Sequence, residues 1–311
     1  DHPDFPWIGM VFAPPIIGIW YWCTDQYIVQ RVLSAQNETQ ARRGTIFGAY
    51  LKLLPIFMFF IPGLIAYAMT KSGQLSYDSS DQVFPTLVRE LLPSGMRGLV
   101  AGGLLAALMS SLSSVFNSCS TLFTMDIYKK LKPNASEKKL VVVGRIATGI
   151  IVISGILWIP LMKVVSSGGL YQYLQSVQAY IAPPIAAVFL LGIFWNRINS
   201  RGALAALVGG FSAGMFRLAL EINKANLSGF LYDFADLNFL YFAIFSFLAC
   251  IALMITVSLV TPAPDLNRIS GLTYATTSKN DLMESKNSWE SFDLINSVII
   301  ILILALILIY F

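Results

Sequence analysis

The sequence predicts an all-α polytopic membrane protein with about eight transmembrane helices, since each crossing needs about 20 apolar residues and apolar runs recur along the whole chain. Of the 311 residues, 56% are hydrophobic and 12% are charged, whereas soluble globular chains hold about 25% charged residues. The mean hydropathy is +0.68. These observations exclude an ordinary soluble domain, and the net charge of +4 is no nucleic-acid-binding footprint.

Windows of about 19 residues place the individual crossings. The expected spans are 6–33, 45–70, 97–127, 140–163, 171–195, 201–223, 238–261 and 293–311. Residues 262–292 are rich in Ser, Thr, Asn and mixed charge without apolar periodicity, which is typical of a flexible linker. We therefore expect this segment to tether a peripheral last helix.

Basic residues are concentrated in alternate loops. They follow the first, third and fifth crossings, as Arg31, Arg42, Arg43, Lys129, Lys130, Lys132, Lys138, Lys139, Arg197 and Arg201. Cytoplasmic loops of membrane proteins carry an excess of Lys and Arg. These loops and the linker are therefore expected in the cytoplasm, with both ends of the chain outside.

The first and fifth crossings carry proline pairs in mid-membrane. Pro14 and Pro15 lie in "FAPPIIGIWYWCTDQ", and Pro183 and Pro184 lie in "LQSVQAYIAPPIAAVF". Proline removes a backbone donor and clashes with the preceding turn, so both crossings are expected to be kinked or broken. Broken helices hold ions and polar solutes in secondary transporters, although proline kinks also arise for packing alone.

Several ionisable or polar side chains fall inside crossings, where a charge costs about 2.5–3.5 kcal/mol on insertion scales. Asp25 and Gln26 follow a cluster of three aromatic residues, and we expect them to face a cavity or pair with a basic residue. Lys52 either snorkels to the cytoplasmic interface or binds a solute. Arg217 and Glu221 are spaced i, i+4, which predicts an internal ion pair near the outer interface.

The third crossing contains the hydroxyl-rich run "AALMSSLSSVFNSCST". Sodium is a hard cation that prefers oxygen ligands. Ser110 and Ser111 lie one turn beyond the carbonyl of Ala107, so the three can project oxygens toward one point. The alternative is that these serines bond to carbonyls of their own helix or join neighbouring helices.

The aromatic cluster of the first crossing, together with Gln175 of the fifth, suits a sugar or similar polyol. Ring faces stack on C–H patches, while amide groups bond hydroxyls. Aromatic residues also anchor helices at membrane interfaces, so composition alone leaves both interpretations open.

Motifs for enzyme chemistry are weak. Gly210, Ser212 and Gly214 satisfy G-x-S-x-G, but a nucleophile elbow needs a strand-to-helix turn and a histidine partner, and His2 is the only histidine. The two glycines instead indicate small-xxx-small helix packing. The three cysteines fall inside apolar segments and predict no disulfide framework. We therefore expect no enzyme.

Long stretches of the chain resemble one known family. The segments are "WYWCTDQYIVQRVLSAQN", "GAYLKLLPIF", "FPTLVRELLPSGMRGLVAGGLLAALMSSLSSVFNSCSTLFTMDIYKK" and "YLQSVQAYIAPPIAAVFLLGIFWNRIN". They are similar to the sodium/glucose cotransporters of the sodium:solute symporter family, and the resemblance extends from about residue 5 to 220.

The resemblance implies the five-plus-five inverted-repeat fold shared with neurotransmitter-type symporters. On this mapping, residues 1–195 form the second inverted repeat with its first helix broken, and residues 196–261 form two peripheral transmembrane helices. Residues 262–292 form a cytoplasmic linker, and residues 293–311 form a C-terminal transmembrane helix. The chain opens at Asp1 without a Met, and we expect its partner to be the missing first inverted repeat of the same protein.

The resemblance also implies roles for individual residues. It places the second-repeat half of a sodium site at Ala107, Ser110 and Ser111. It places contacts to the sugar at Tyr21, Trp22, Lys52 and Gln175. Tyr21 corresponds to an inner-gate tyrosine that stacks under the sugar ring. Gly18 and Gln178 depart from the side chains of relatives at sugar-facing positions, so the choice of sugar stays open.

These roles imply sodium-coupled symport of a sugar such as glucose or galactose, by alternating access, with sodium co-transported. The second outer loop lacks the cysteines of animal members, which favours a bacterial source and the cell (inner) membrane. The alternatives are a sodium symporter for another solute, such as an inositol, and a transporter-derived sugar sensor.

Overall fold

The computed structural model describes residues 4–165 and 169–310, so His2 lies outside the described residues. The helices are α1 (Trp7–Cys23), α2 (Gln26–Leu33), α3 (Glu38–Lys71), α4 (Val83–Leu91), α5 (Ser94–Leu122), α6 (Glu137–Val165), α7 (Leu170–Phe194), α8 (Ser200–Ile222), α9 (Phe230–Asp236), α10 (Phe239–Val260), α11 (Lys279–Asn287) and α12 (Ser291–Tyr310). α5 continues through a π-helical segment, Phe123–Tyr128, into Lys129–Leu131.

Among the described residues, six helices are long and apolar enough to cross a membrane, namely α3, α5, α6, α7, α8 and α10. Two bent pairs, α1 with α2 and α11 with α12, pass the same test as pairs, which brings the total to eight if each pair is one span. The predicted all-α polytopic membrane fold is therefore confirmed. The linker expected over 262–292 contains a helix that the sequence analysis did not predict, α11.

Packing divides the chain into two compact units. Unit 1 comprises Asp1–Ala49 and Tyr171–Phe311, and unit 2 comprises Tyr50–Leu170. The main buried cluster of unit 1 joins α1, α7, α8 and α10 through large apolar side chains such as Tyr180, Leu218 and Phe242. α7, α8 and α10 therefore form the packed centre of unit 1, and α1 lies against α10.

Glycines of α8 allow the neighbouring helices to approach closely. A Cβ atom at Gly214 would lie 2.5 Å from the carbonyl oxygen of Tyr180, and one at Gly210 would lie 2.5 Å from the Cys250 sulfur. At Gly202 the Cβ would lie 2.7 Å from the Met254 carbonyl oxygen. Real side-chain carbons do not approach other atoms this closely. The interpretation of Gly210 and Gly214 as small-residue helix packing is therefore confirmed.

The proline pair of the fifth crossing does not interrupt its helix. α7 runs from Leu170 to Phe194 through Pro183 and Pro184, both of which are fully buried. The β-carbon of Pro184 would lie 2.7 Å from a Cβ placed at Gly210. Of the two expected forms, kinked or broken, the broken one is therefore wrong for this crossing, and the Pro184 ring packs against α8.

Arg217 and Glu221 do not satisfy each other as the sequence spacing predicts. Arg217 is 2% exposed and donates to the carbonyls of Phe234 and Leu237 at the end of α9. Glu221 accepts a 2.5 Å hydrogen bond from the Tyr180 hydroxyl. The spacing correctly places both on one helix face, but their partners come from α7 and α9, which local spacing does not reveal.

In unit 2, the Ser120 hydroxyl joins α5 to α6. The Ser120 hydroxyl donates to the Gly144 carbonyl at 2.8 Å, and the Thr148 hydroxyl donates to the same oxygen at 3.0 Å. A second contact packs Ala66 of α3 against Leu75, which lies between α3 and α4, and against Leu87 of α4. Ser120 of the third crossing therefore serves as a contact between helices.

An ionic cluster fixes α12 to the beginning of α3 within unit 1. Asp293, in the first turn of α12, is fully buried and lies 3.6 Å from Arg42 and from Arg43. Arg42 also donates to the Ser288 carbonyl at 2.7 Å, and its guanidinium carbon lies 4.4 Å from the centroid of the Trp289 ring. The last helix is therefore held by its own first turn and the residues that precede it.

Replacement of Gly214 by Ala should destabilise unit 1 by about 1–3 kcal/mol, because the new methyl group meets the Tyr180 backbone. The measurement is the free energy of unfolding of the purified chain in detergent micelles. Gly192→Ala is the matched control, since no described atom beyond its own helix lies within 4 Å of a Cβ there. Equal stability of the two variants would contradict the packing interpretation.

Replacement of Asp293 by Ala should lower the free energy of unfolding by about 3 kcal/mol, since the loss of the buried carboxylate leaves Arg42, whose side chain is 17% exposed, without its ion-pair partner. Glu290→Gln is the control. Its carboxylate meets Arg43 at 2.6 Å but is 58% exposed, and an exposed ion pair is worth less than about 1 kcal/mol. Unfolding in micelles measures both variants, and a loss as small as that of the control would show that Asp293 does not anchor α12.

Candidate functional site

The first crossing is broken between α1 and α2. The two helices meet at an angle of 60°. α1 continues through Pro14 and Pro15 to Cys23, so the break follows the prolines rather than coinciding with them. The Thr24 hydroxyl donates to the Trp20 carbonyl at 2.6 Å, and the Asp25 carbonyl accepts from the Val29 amide at 2.9 Å. Thr24 therefore closes α1, and Asp25 opens α2.

Aromatic side chains surround this break. The ring centroids of Tyr21 and Trp22 lie 5.1 Å apart at 89°, an edge-to-face contact. The Tyr21 hydroxyl lies 2.9 Å from the hydroxyl of Tyr27, in the first turn of α2. Tyr21 and Tyr27 are half-buried and Trp22 is exposed. Tyr27 is not among the residues predicted for this site, although two tyrosines that flank a polar Thr-Asp pair are a usable signal.

The two polar residues that begin α2 are both partly buried. Asp25 and Gln26 are half-buried. The Gln26 side-chain oxygen is buried and has no hydrogen-bond partner among the described residues. The expectation that these residues face a cavity or a basic partner stays a prediction.

Gln175 lies on α7, in the same unit as the aromatic cluster. Its side-chain nitrogen donates to the Tyr171 hydroxyl at 2.9 Å, and the residue is half-buried. An amide group carries two donors and an acceptor oxygen. The bond to Tyr171 therefore fixes the orientation of the amide and leaves further hydrogen-bonding capacity for a solute.

Lys52 lies on α3 in unit 2, and its side chain is exposed. Unit 2 begins at Tyr50, two residues before Lys52, and α3 begins at Glu38. Its assignment to the sugar rests on the resemblance, and the snorkelling alternative stays open.

The residues of the expected sodium site lie together on α5 in unit 2. Ala107, Ser110 and Ser111 are all exposed, and the most apolar window of this helix has none of its residues buried. The Ser110 carbonyl accepts from the hydroxyls of Ser113 and Ser114, each at 3.0 Å. The neighbouring serines therefore bond to their own helix, whereas Ser110 and Ser111 lie on an open face.

The fold and these residues define a multi-pass helical membrane protein with a broken helix beside an aromatic cluster and an open hydroxyl face on a second helix. Comparison with known proteins identifies the class further. Residues 2–210 match the model of the sodium:solute symporter family. The chain belongs to this family.

The relatives are named for cotransport. The chain is 39% identical over 305 residues to sodium/glucose cotransporter 4 of Danio rerio. This match covers 92% of this chain and 46% of that protein. It is 40% identical over 291 residues to sodium/myo-inositol cotransporter 2 of Mus musculus, covering 88% and 43%. It is 40% identical over 295 residues to sodium/mannose cotransporter SLC5A10 of Bos taurus, covering 89% and 49%. The chain thus spans less than half the length of these relatives.

Proposed function

We propose that this chain is part of a membrane symporter that couples the inward movement of sodium to that of a sugar or related polyol. The observation that carries the proposal is the family match over residues 2–210, which includes the break and every residue expected to bind sodium or sugar. The relatives named above move glucose, myo-inositol or mannose with sodium, as their names state. The cell membrane is the expected location.

The open face of α5 supports the sodium half of the proposal. Hydroxyl groups in the middle of an apolar helix are unfavourable against lipid tails, so they usually face protein, water or an ion. Ser110 and Ser111 supply oxygen ligands on that face, with the carbonyl of Ala107 one turn earlier. We propose that the first inverted repeat of the same protein covers this face and supplies the remaining oxygen ligands.

The break in the first crossing supports the sugar half. Tyr21 and Trp22 present ring faces and edges that suit the C–H surface of a pyranose or cyclitol. Gln175, oriented by Tyr171, supplies an amide for hydroxyl groups. Lys52 supplies a charged donor that strengthens such a hydrogen bond.

The coupling follows from linkage between the two sites. Sodium that binds at α5 stabilises an outward-open state and raises the affinity for the sugar, and the sugar raises the affinity for sodium by the same factor. A membrane potential of 100 mV adds about 2.3 kcal/mol per charge moved through the full field. Closure and inward release then complete alternating access.

An inositol is the second candidate solute, because a myo-inositol cotransporter is among the relatives at the same identity as the mannose cotransporter. Competition between labelled glucose and unlabelled myo-inositol during sodium-driven uptake distinguishes the two. Counterflow in vesicles separates either carrier from a sensor that binds sugar without moving it.

Ser111→Ala in the full-length transporter should raise the sodium concentration for half-maximal uptake strongly, because water does not easily replace the lost ligand at mid-membrane. Sugar affinity at saturating sodium should change less. Ser154→Ala is the control, since the Ser154 hydroxyl bonds to the Ile150 carbonyl of its own helix at 2.9 Å. If Ser111→Ala keeps the sodium dependence of the control, the serine joins helices and holds no ion.

Gln175→Ala and Lys52→Ala should each weaken sugar binding, by about 0.5–1.5 kcal/mol for the amide and up to about 3 kcal/mol for the charged donor. Each variant should bind one deoxy-sugar as well as the unmodified protein does, namely the deoxy-sugar that lacks the hydroxyl to which the removed side chain bonds. Uptake kinetics with a series of deoxy-sugars measures this.

Gln172→Ala is the matched control on α7, because the Gln172 amide bonds to Asp4 at 3.4 Å, whereas the Gln175 amide bonds to Tyr171. Normal sugar binding by Lys52→Ala, beside a weakened Gln175→Ala, would identify Lys52 as an interfacial anchor.

A further inference from the structure

The hydroxyls of Tyr21 and Tyr27 meet across the break in the first crossing. Their oxygens lie 2.9 Å apart, and their rings are edge-to-face with centroids 6.4 Å apart. Tyr21 belongs to α1 and Tyr27 to α2, so this bond joins the two halves of the broken helix. Both side chains are half-buried, which limits the competition from water for the bond.

The bond depends on the bend. On a continuous α-helix, residues six apart are separated by about 9 Å along the axis and point about 120° away from each other. Two tyrosine hydroxyls at that spacing would not meet. At the 60° bend they do, so the hydroxyl pair exists only while the two halves keep this geometry.

The Tyr21 ring is thereby held on two sides. Trp22 packs against it edge-to-face at 5.1 Å, and Tyr27 fixes its hydroxyl. We propose that Tyr27 is a positioning residue, which acts through Tyr21 and links the orientation of that ring to the angle between α1 and α2. The proposal rests on the proposed function, in which Tyr21 contacts the sugar.

The first test measures the bend and needs no transport. Spin labels at Phe12→Cys on α1 and Leu33→Cys on α2 occupy exposed positions, with Cys23 and Cys119 replaced by Ser. Tyr27→Phe keeps the ring and removes only the hydroxyl. In the purified chain, we expect Tyr27→Phe to raise about fivefold the population of molecules whose distance between the labels differs from the main distance of the unmodified protein. This is the effect of losing one neutral hydrogen bond of about 1 kcal/mol. An unchanged distance distribution overturns the proposal.

A double-mutant cycle shows whether the two tyrosines act through one bond. Tyr21→Phe should change the distance distribution as much as Tyr27→Phe does, and the double variant should change it no further. Additive effects overturn the proposal, because each tyrosine would then act alone. Tyr241→Phe, which removes the hydroxyl of a half-buried tyrosine on α10, should leave the distances unchanged.

The second test separates positioning from general stability in the full-length transporter. Tyr27→Phe should raise the sugar concentration for half-maximal uptake about fivefold, because the lost hydrogen bond positions the ring that contacts the sugar. The maximal uptake rate should stay within about twofold, because this bond takes no direct part in translocation. Equal values for the variant and the unmodified protein overturn the proposal. Absence of uptake by the unmodified protein overturns the proposed function, and the distance measurements still decide the role of Tyr27.

Discussion

Unit 1 depends on the close approach of α8 to its neighbours. Lipid tails are as apolar as leucine, so helices in a bilayer associate through tight packing and hydrogen bonds more than through hydrophobic burial. Gly202, Gly210 and Gly214 remove the side chains that would prevent this approach. α7 and α10 therefore lie against α8, and α1 lies against α10. The helices that carry Tyr21 and Gln175 are positioned through the same set of contacts.

Burial differs sharply between the helices of the two units. In their most apolar windows, 39% of α7, 33% of α8 and 28% of α10 is buried, against 6% of α3 and α6 and none of α5. The first three helices thus pack mainly against one another. The other three expose apolar side chains, which suit lipid tails, together with the hydroxyls of Ser110 and Ser111 on α5. This contrast is what the proposal of a covering first repeat explains.

The crossings could be predicted from the sequence because apolar length alone decides where a helix crosses a bilayer. The position of the break could not, since α1 and α7 both continue through their proline pairs. α1 ends instead at Thr24, whose amide and hydroxyl both donate to the Trp20 carbonyl. The partners of Arg217 and Tyr27 come from other helices or across the break, and spacing along the chain does not encode them.

The ionic cluster at α12 can form only after two distant parts of the chain have been made. Glu38 and Ser288, which share a hydrogen bond in this cluster, are 250 residues apart. At about 5–20 residues per second, the arginines that begin α3 emerge from the ribosome roughly 12–50 s before Asp293 does. During that interval the guanidinium groups of Arg42 and Arg43 lack the carboxylate of Asp293. The packing of unit 1 at this cluster can therefore be completed only after α12 has been made.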